Sequence, residues 1–341
     1  MELHPIWKDY VVSLGSSDET SFSIFVNGND TAIYHGVAHR RPVAEENTIR
    51  INDICADYLA HALPNIASQG ASRNIIAPTF RVTMANPEAG ESDIVVDEVR
   101  FTNDWSYEFD HDPSVASAPI DGIIDPRQPL IYSTYNDVSV DAMLTFDDGT
   151  TMRLPIALGS GADFNGDFNN DFAISVNGSA SGSVIIAPSA WEGLESVAIG
   201  DVVYKVQDTC ARYALYYTNA YGGWDSFAIQ SIAKQKDTLT KHTNTKRYDN
   251  THSSNRGKDN YLNEVVPSWE LNTHYLTDEQ SLRMHHLLGS TCVYLYDMER
   301  DEMWPVTITD KSVSYLTAKN NGRQFPSYTI NVELARTRIR R

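Results

Sequence analysis

The sequence predicts a mainly β protein: β-sandwich domains with a few short helices and a long polar arm in the C-terminal part. Three observations predict it. Short runs rich in Val, Ile, Thr, Tyr and Phe recur along the chain, many of them alternating apolar and polar residues as a half-buried strand requires. Asn-Gly, Asp-Gly and Gly-Gly pairs punctuate these runs where tight turns need a positive φ. At 341 residues the chain exceeds what one hydrophobic core organises, and a content of 41% hydrophobic and 21% charged residues is that of a folding chain.

The elements follow in order. In SFSIFVNGNDTAIYHGVAH, Phe22, Ile24 and Val26 alternate, Asn27-Gly28 supplies a turn, and Ala32 to Val37 returns, which predicts a hairpin. Ile51, Ile54, Tyr58 and Leu59 then recur at helical spacing until Pro64 stops the pattern. This predicts a short helix over 51–63 that covers the edge of a sandwich. Strands resume in IIAPTFRVTMA, DIVVDEVRFTN and WSYEFD, completing an N-terminal β-sandwich over residues 1–110. Residues 111–130 contain Pro113, Pro119, Pro126 and Pro129 and read as a linker or long loop. LIYSTY, VSVDAMLTF and TMRLPIAL follow as strands, the last two joined by Asp148-Gly149. Residues 111–200 are therefore a second β-unit, or a second sheet of the first domain.

Residues 201–341 read as a C-terminal β-rich assembly domain. DVVYKVQ and RYALYYTN lead to the Gly222-Gly223 turn, and FAIQSIA follows as a strand. Residues 234–260 almost lack large apolar side chains. They form a long loop, an extended arm, or strands that gain order against a partner, the strand option being kept open by the alternating threonines. In TDEQSLRMHHLLGS, Thr277 caps a helix, Glu279 and Gln280 lie in its first turn and Gly289 stops it. CVYLYD, WPVTITD and YTINVELA close the chain as strands, with Asn321-Gly322 in a loop.

Charge divides unevenly along the chain. Residues 201–341 hold 18 Lys+Arg and 16 Asp+Glu, so the first 200 hold the remaining 9 basic and 29 acidic residues and carry −20. Such a surface repels nucleic acid and anionic membranes. It serves either plain solubility or electrostatic matching to a basic neighbour. Cys55, Cys210 and Cys292 are odd in number and far apart, which reads as reduced thiols rather than a disulfide framework, zinc site or redox motif. The opening MELHPIWKDYVV has no cationic segment before an apolar core, and no apolar run is long enough for a bilayer. The expectation is synthesis in the cytoplasm without a signal peptide and without membrane insertion.

Reactive chemistry is sparse. Asp163, Asn165, Asp167, Asn169 and Asp171 alternate in DFNGDFNND and can converge hard oxygens on calcium. The EF-hand pattern fails, because Phe168 stands where the turn glycine belongs and Ile174 where the bidentate acid belongs, so a solvated loop is the plainer reading. Adjacent His285 and His286 point apart on a helix, which makes them and His274 a poor zinc set. There is no G-x-S-x-G, no Walker loop and no G-x-G-x-x-G, and the chain reads as a non-enzyme with no required cofactor. A glycosidase carboxylate pair among the 45 acids stays an alternative that spacing alone does not decide.

The interface candidates lie in YALYYTNAYGGWDSF, namely Tyr213, Tyr216, Tyr217, Trp224 and Phe227, whose apolar content suits either a core or a subunit contact. At the C-terminus Arg336, Arg338 and Arg340 alternate, giving either a solvated basic tail or a charged edge that docks on the acidic surface of the next copy.

From Tyr204 to the end the pattern resembles structural proteins of tailed bacteriophages that infect Bacteroidota. The matching residues are Asn219, Gly222, Gly223, Trp224, Asp225 and Phe227, then Trp269, Leu282 and Leu287, then Trp304-Pro305-Val306, and finally Tyr328 to Ala335. FSIFVNGNDTAIYHGVAHRRP followed by IRINDICADYL is similar to the opening of such proteins, whereas residues 111–200 match nothing in the pattern. The resemblance implies a virion component of the tail tip or baseplate, with a distal-tail-like ring protein or adaptor fitting best. Its partners would be other copies of itself and other tail proteins, and the 234–260 arm would reach a neighbour by strand addition. The alternative is a carbohydrate- or receptor-binding module of the virion that meets host surface glycan through Trp105, Tyr107, Trp224 or the acidic loop. A virion-associated glycoside hydrolase is the third reading.

Overall fold

Mostly antiparallel strands assemble the chain into several sheets, as the alternating runs predict. The structure is a computed structural model that describes residues 3–26, 31–39, 46–56, 58–59, 70–72, 77–85, 92–102, 116–117, 120–135, 140–157, 174–175, 182–186, 188–245, 258–310, 325–336 and 338–340.

The N-terminal part contains β1 (Leu3–Pro5), β2 (Val11–Ser13), β3 (Glu19–Val26), β4 (Tyr34–His39), β5 (Thr48–Arg50), α1 (Asn52–Ala56), β6 (Gly70–Ser72), β7 (Thr79–Met84) and β8 (Ile94–Thr102). The expected hairpin is present: β3 pairs with β4 from Glu19↔His39 to Ile24↔Tyr34. A five-stranded sheet runs β1-β8-β7-β3-β4, and β2 and β5 pair as a separate two-stranded sheet. Ile24, Phe80, Val82 and Phe101 from the sheet share one core with Val12, Ile51 and Cys55. Burying each large apolar side chain of such a core stabilises by roughly 1.5–3 kcal/mol. Asn52 fastens the chain end to the helix: its Nδ2 donates to the carbonyls of Ile6 and Lys8, and its Oδ1 accepts from Tyr10 N. The helix is shorter than the spacing predicts. It ends at Ala56, and turn bonds from Tyr58 and Leu59 back to Cys55 and Ala56 continue the winding. Residues 60–63 and WSYEFD lie outside the described residues.

The middle part contains β9 (Gly122–Ile124), β10 (Leu130–Thr134), β11 (Val140–Phe146), β12 (Thr151–Ala157), β13 (Ile174–Ser175), β14 (Gly182–Ile186), β15 (Leu194–Ile199) and β16 (Val202–Val206). A six-stranded sheet, β13-β12-β11-β15-β16-β9, and a three-stranded one, β10-β14-β6, contribute to a single core. Leu130, Tyr132 and Ile186 of the smaller sheet meet Leu144, Val197 and Tyr204 of the larger, the packing of a sandwich. β6 comes from the N-terminal part, so the chain crosses the division drawn at residue 110. At the predicted β11–β12 turn, Gly149 has φ +79 and Asp148 Oδ1 accepts from Thr150 N and Oγ1. The division drawn at 200 falls inside the β15–β16 hairpin, and sheet membership changes between Val206 and Tyr213.

The C-terminal part contains β17 (Tyr213–Thr218), β18 (Trp224–Ile229), β19 (Ala233–Thr245), β20 (Lys258–Asn272), α2 (Asp278–Gly289), β21 (Val293–Asp297), β22 (Glu302–Ile308), β23 (Thr329–Leu334) and β24 (Arg338–Arg340). They form one antiparallel sheet, β18-β17-β21-β22-β23-β20-β19, with β24 also paired to β20. The predicted helix has its predicted cap. Thr277 Oγ1 accepts from Gln280 N at 3.2 Å while Gln280 Oε1 accepts from Thr277 N at 3.1 Å, closing a capping box. Gly289 is the last helical residue and Ser290 the C-cap. Met284 and Leu287 lay the helix on Leu215, Tyr217 and Leu295 of the sheet.

Candidate assembly interface

Two places in the C-terminal sheet gather the residues singled out above: the turn after β17, and the long hairpin at the opposite edge.

At the first, β17 is an internal strand with a core on each side. Tyr213, Leu215 and Tyr217 belong to the core shared with α2, whereas Ala214 and Tyr216 belong to another that includes Ile131, Tyr135 and Trp224. Every residue of the strand is therefore buried. Asn219 organises the turn that follows, its Oδ1 accepting from the amides of Tyr221 and Gly223 and its Nδ2 donating to Ala116 O at 2.9 Å. Gly222 has φ +81, and a Cβ on Gly223 would stand 2.3 Å from Ala116 O, so glycine is required twice for different reasons. Trp224 N donates to Ser133 Oγ at 3.0 Å, and Tyr216 OH to Pro129 O at 2.8 Å.

Behind the turn a buried ion pair forms between Asp225 on β18 and Arg283 on α2, which are 3% and 4% exposed. The guanidinium also lies over the Tyr204 ring, 5.9 Å from its centroid, and a Cβ at Gly122 would collide with it. Burial disfavours the charge on Arg283, but the Asp225 carboxylate overcomes this and holds it well above the usual arginine range. Burial raises the Tyr217 phenol, with the Asp225 charge adding to it, and lowers His286 to about 4. At neutral pH Arg283 is therefore charged, and Tyr217 and His286 are neutral. The chemistry of the cluster is to lock α2, β18 and the middle sheet together.

At the far edge the polar arm takes its strand option. β19 and β20 pair antiparallel from Ala233↔Leu271 to Thr245↔Lys258, with a register shift between His242 and Thr243. On its other side β20 meets β23 over Ser268–Asn272 and β24 over Asn263–Val265. Among the described residues, β19 pairs with nothing but β20, and its outer edge is bare. All its residues except Ala233 and His242 are exposed, Leu239 at 56%. At the root, Glu270 accepts from Lys234 at 3.1 Å and Lys236 at 2.7 Å, and these ammonium groups hold its carboxyl below the usual range. Beside it lies a cavity of about 100 Å³ lined by Tyr213, Gln235, Trp269 and Trp304 among others, with the two indoles stacked at 5.7 Å.

Of the interface candidates, Tyr213, Tyr216, Tyr217 and Trp224 are 5%, 0%, 0% and 0% exposed. The chain's own cores already cover them, which corrects their assignment to a subunit contact, and Phe227 packs partly buried against the core beneath α2. Trp224 is equally out of reach of a sugar. Arg336 is exposed, and Arg338 and Arg340 fall on β24, whose partner is β20 of the same chain. The calcium candidates Asp163, Asn165, Asp167, Asn169 and Asp171 lie outside the described residues, as do Trp105 and Tyr107. Among the described residues no group of three or more His, Cys, Asp or Glu is placed to hold a metal, and no helix is long and apolar enough to cross a membrane. The Asp225–Arg283 pair escaped the sequence reading, although an arginine flanked by Leu282 and Met284, four residues before Leu287 on the apolar face of a helix, is its signal. Comparison with protein families, curated proteins and solved structures finds no match to the chain.

Proposed function

We propose that the chain is a structural protein of a tailed-phage virion, forming part of the tail or tail-tip/baseplate through contacts with its own copies and with other tail proteins. The observation that carries the assembly role is the outer edge of β19, which pairs with nothing among the described residues. A strand of 13 residues with one side unpaired is a template for another strand, and a chain that stays alone normally shortens, bends or covers such an edge. The phage assignment is supported by the residue pattern from Asn219 to Ala335. It is also supported by what those residues do: Asn219, Gly222, Gly223, Trp224 and Asp225 build the turn and lock that fix the C-terminal sheet. The alternative of a glycan- or receptor-binding module has the stacked Trp269–Trp304 cleft in its favour, but about 100 Å³ is small beside the 300–1,000 Å³ usual for ligand sites. Size exclusion with light scattering, followed by negative-stain microscopy of the purified chain, tests the reading. Rings, tubes or a mass of several copies are expected, and monodisperse monomers at high concentration would overturn it.

A further inference from the structure

The sequence of β19 is self-complementary about its midpoint. Leu239 is the central residue of Ala233–Thr245, with Thr238 and Thr240 on either side and Asp237 and Lys241 beyond them. When two copies of this strand lie antiparallel with Leu239 facing Leu239, all 13 residues pair. Asp237 then faces the partner's Lys241, Thr238 the partner's Thr240, and each pairing occurs twice by symmetry. Opposite charges and paired threonines are the cross-strand neighbours that favour a sheet. The exposed Leu239 side chains cover one another at the centre.

We infer that β19 is a two-fold strand-addition site whose occupant is β19 of a second copy, joining two C-terminal sheets into one continuous sheet. Three features point to a copy rather than to any extended peptide. A two-fold contact requires a surface that matches itself, and this edge does so over its central five residues, Asp237 to Lys241. Asp237 and Lys241 are exposed and form no ion pair among the described residues, so both are available for a partner. The same residues select the register. Opposite residues must share a face of the pleat, so the nearest alternatives set Thr238 against Thr238 or Thr240 against Thr240, and each loses the Asp237–Lys241 pairs and places Leu239 opposite a charged residue.

This pairing rests on the assembly role proposed above, and a charge-reversal cycle on the full chain separates the two. Asp237→Lys, Lys241→Glu and the double variant are compared with the native chain by sedimentation over a range of concentrations, with circular dichroism as the control for folding. Each single reversal sets like charges face to face twice, so the dimer dissociation constant is expected to rise roughly tenfold or more. The double variant restores opposite charges and is expected to return to within about threefold of the native value. Self-association that none of the variants alters, or that the double variant fails to rescue, overturns the two-fold pairing and leaves the assembly role standing. A native chain that stays monomeric throughout overturns both.

Discussion

The Asp225–Arg283 pair sets a cost that neither residue bears alone. Both side chains are buried, and β18 and α2 bring them together across a sequence separation of 58. Removing one partner leaves the other charged and desolvated, whereas removing both leaves an apolar gap that neighbours can fill. Arg283→Met is therefore expected to destabilise the chain by about 3–5 kcal/mol. Adding Asp225→Leu to it should recover a large part of that loss, as read from chemical denaturation of the two variants and the native chain. Equal losses in the single and double variants would mean that the arginine acts through its contact over Tyr204 rather than through the charge. Gly122 fits the same account, since its missing side chain leaves room for the guanidinium.

Elements differ in how much of their stability is local. The α2 cap is local: the two hydrogen bonds of the box join Thr277 to Gln280. Thr277→Ala should cost about 1 kcal/mol, with Thr277→Ser close to native, checked by thermal unfolding of the full chain. Locality also decides what could be read from the sequence. The β3–β4 hairpin, the Asp148-Gly149 turn and the α2 cap depend on neighbours a few residues away, and their patterns announce them. The apolar run of β17 announces burial but not by what, because a strand with a core on each face and a strand at a subunit contact have the same composition. Gly223 shows the reason: what forbids its side chain is Ala116 O, more than a hundred residues away. The polar arm was the least legible, since its strands carry no core-facing alternation along β19 and owe their order to pairing across the hairpin.

On the scale of the whole molecule the decisive quantity is the division of charge. The first 200 residues carry −20, while residues 234–260, which include β19 from Lys234 onward, hold seven Lys or Arg against three Asp. Two copies therefore attract arm to body and repel body to body, and the free energy of any assembly is the balance of the two. Both terms are long-ranged and weaken as salt shortens the screening length from about 10 Å at 0.1 M to about 3 Å at 1 M. Contacts between adjacent ions, such as the proposed pairing of Asp237 with Lys241, lose less than the attraction of arm for body, because ion-pair distances of about 3–4 Å lie well inside the screening length at 0.1 M and only near it at 1 M. On the proposed assembly role, light scattering across this salt range should show the largest assemblies dissolving first while a two-copy species persists. A mass that does not change with salt would assign the contacts to apolar surface instead. The exposed Tyr34 and Val37 on the edge strand β4, beside the aromatic packing of Phe22 over Gly36, would then be the surface to test.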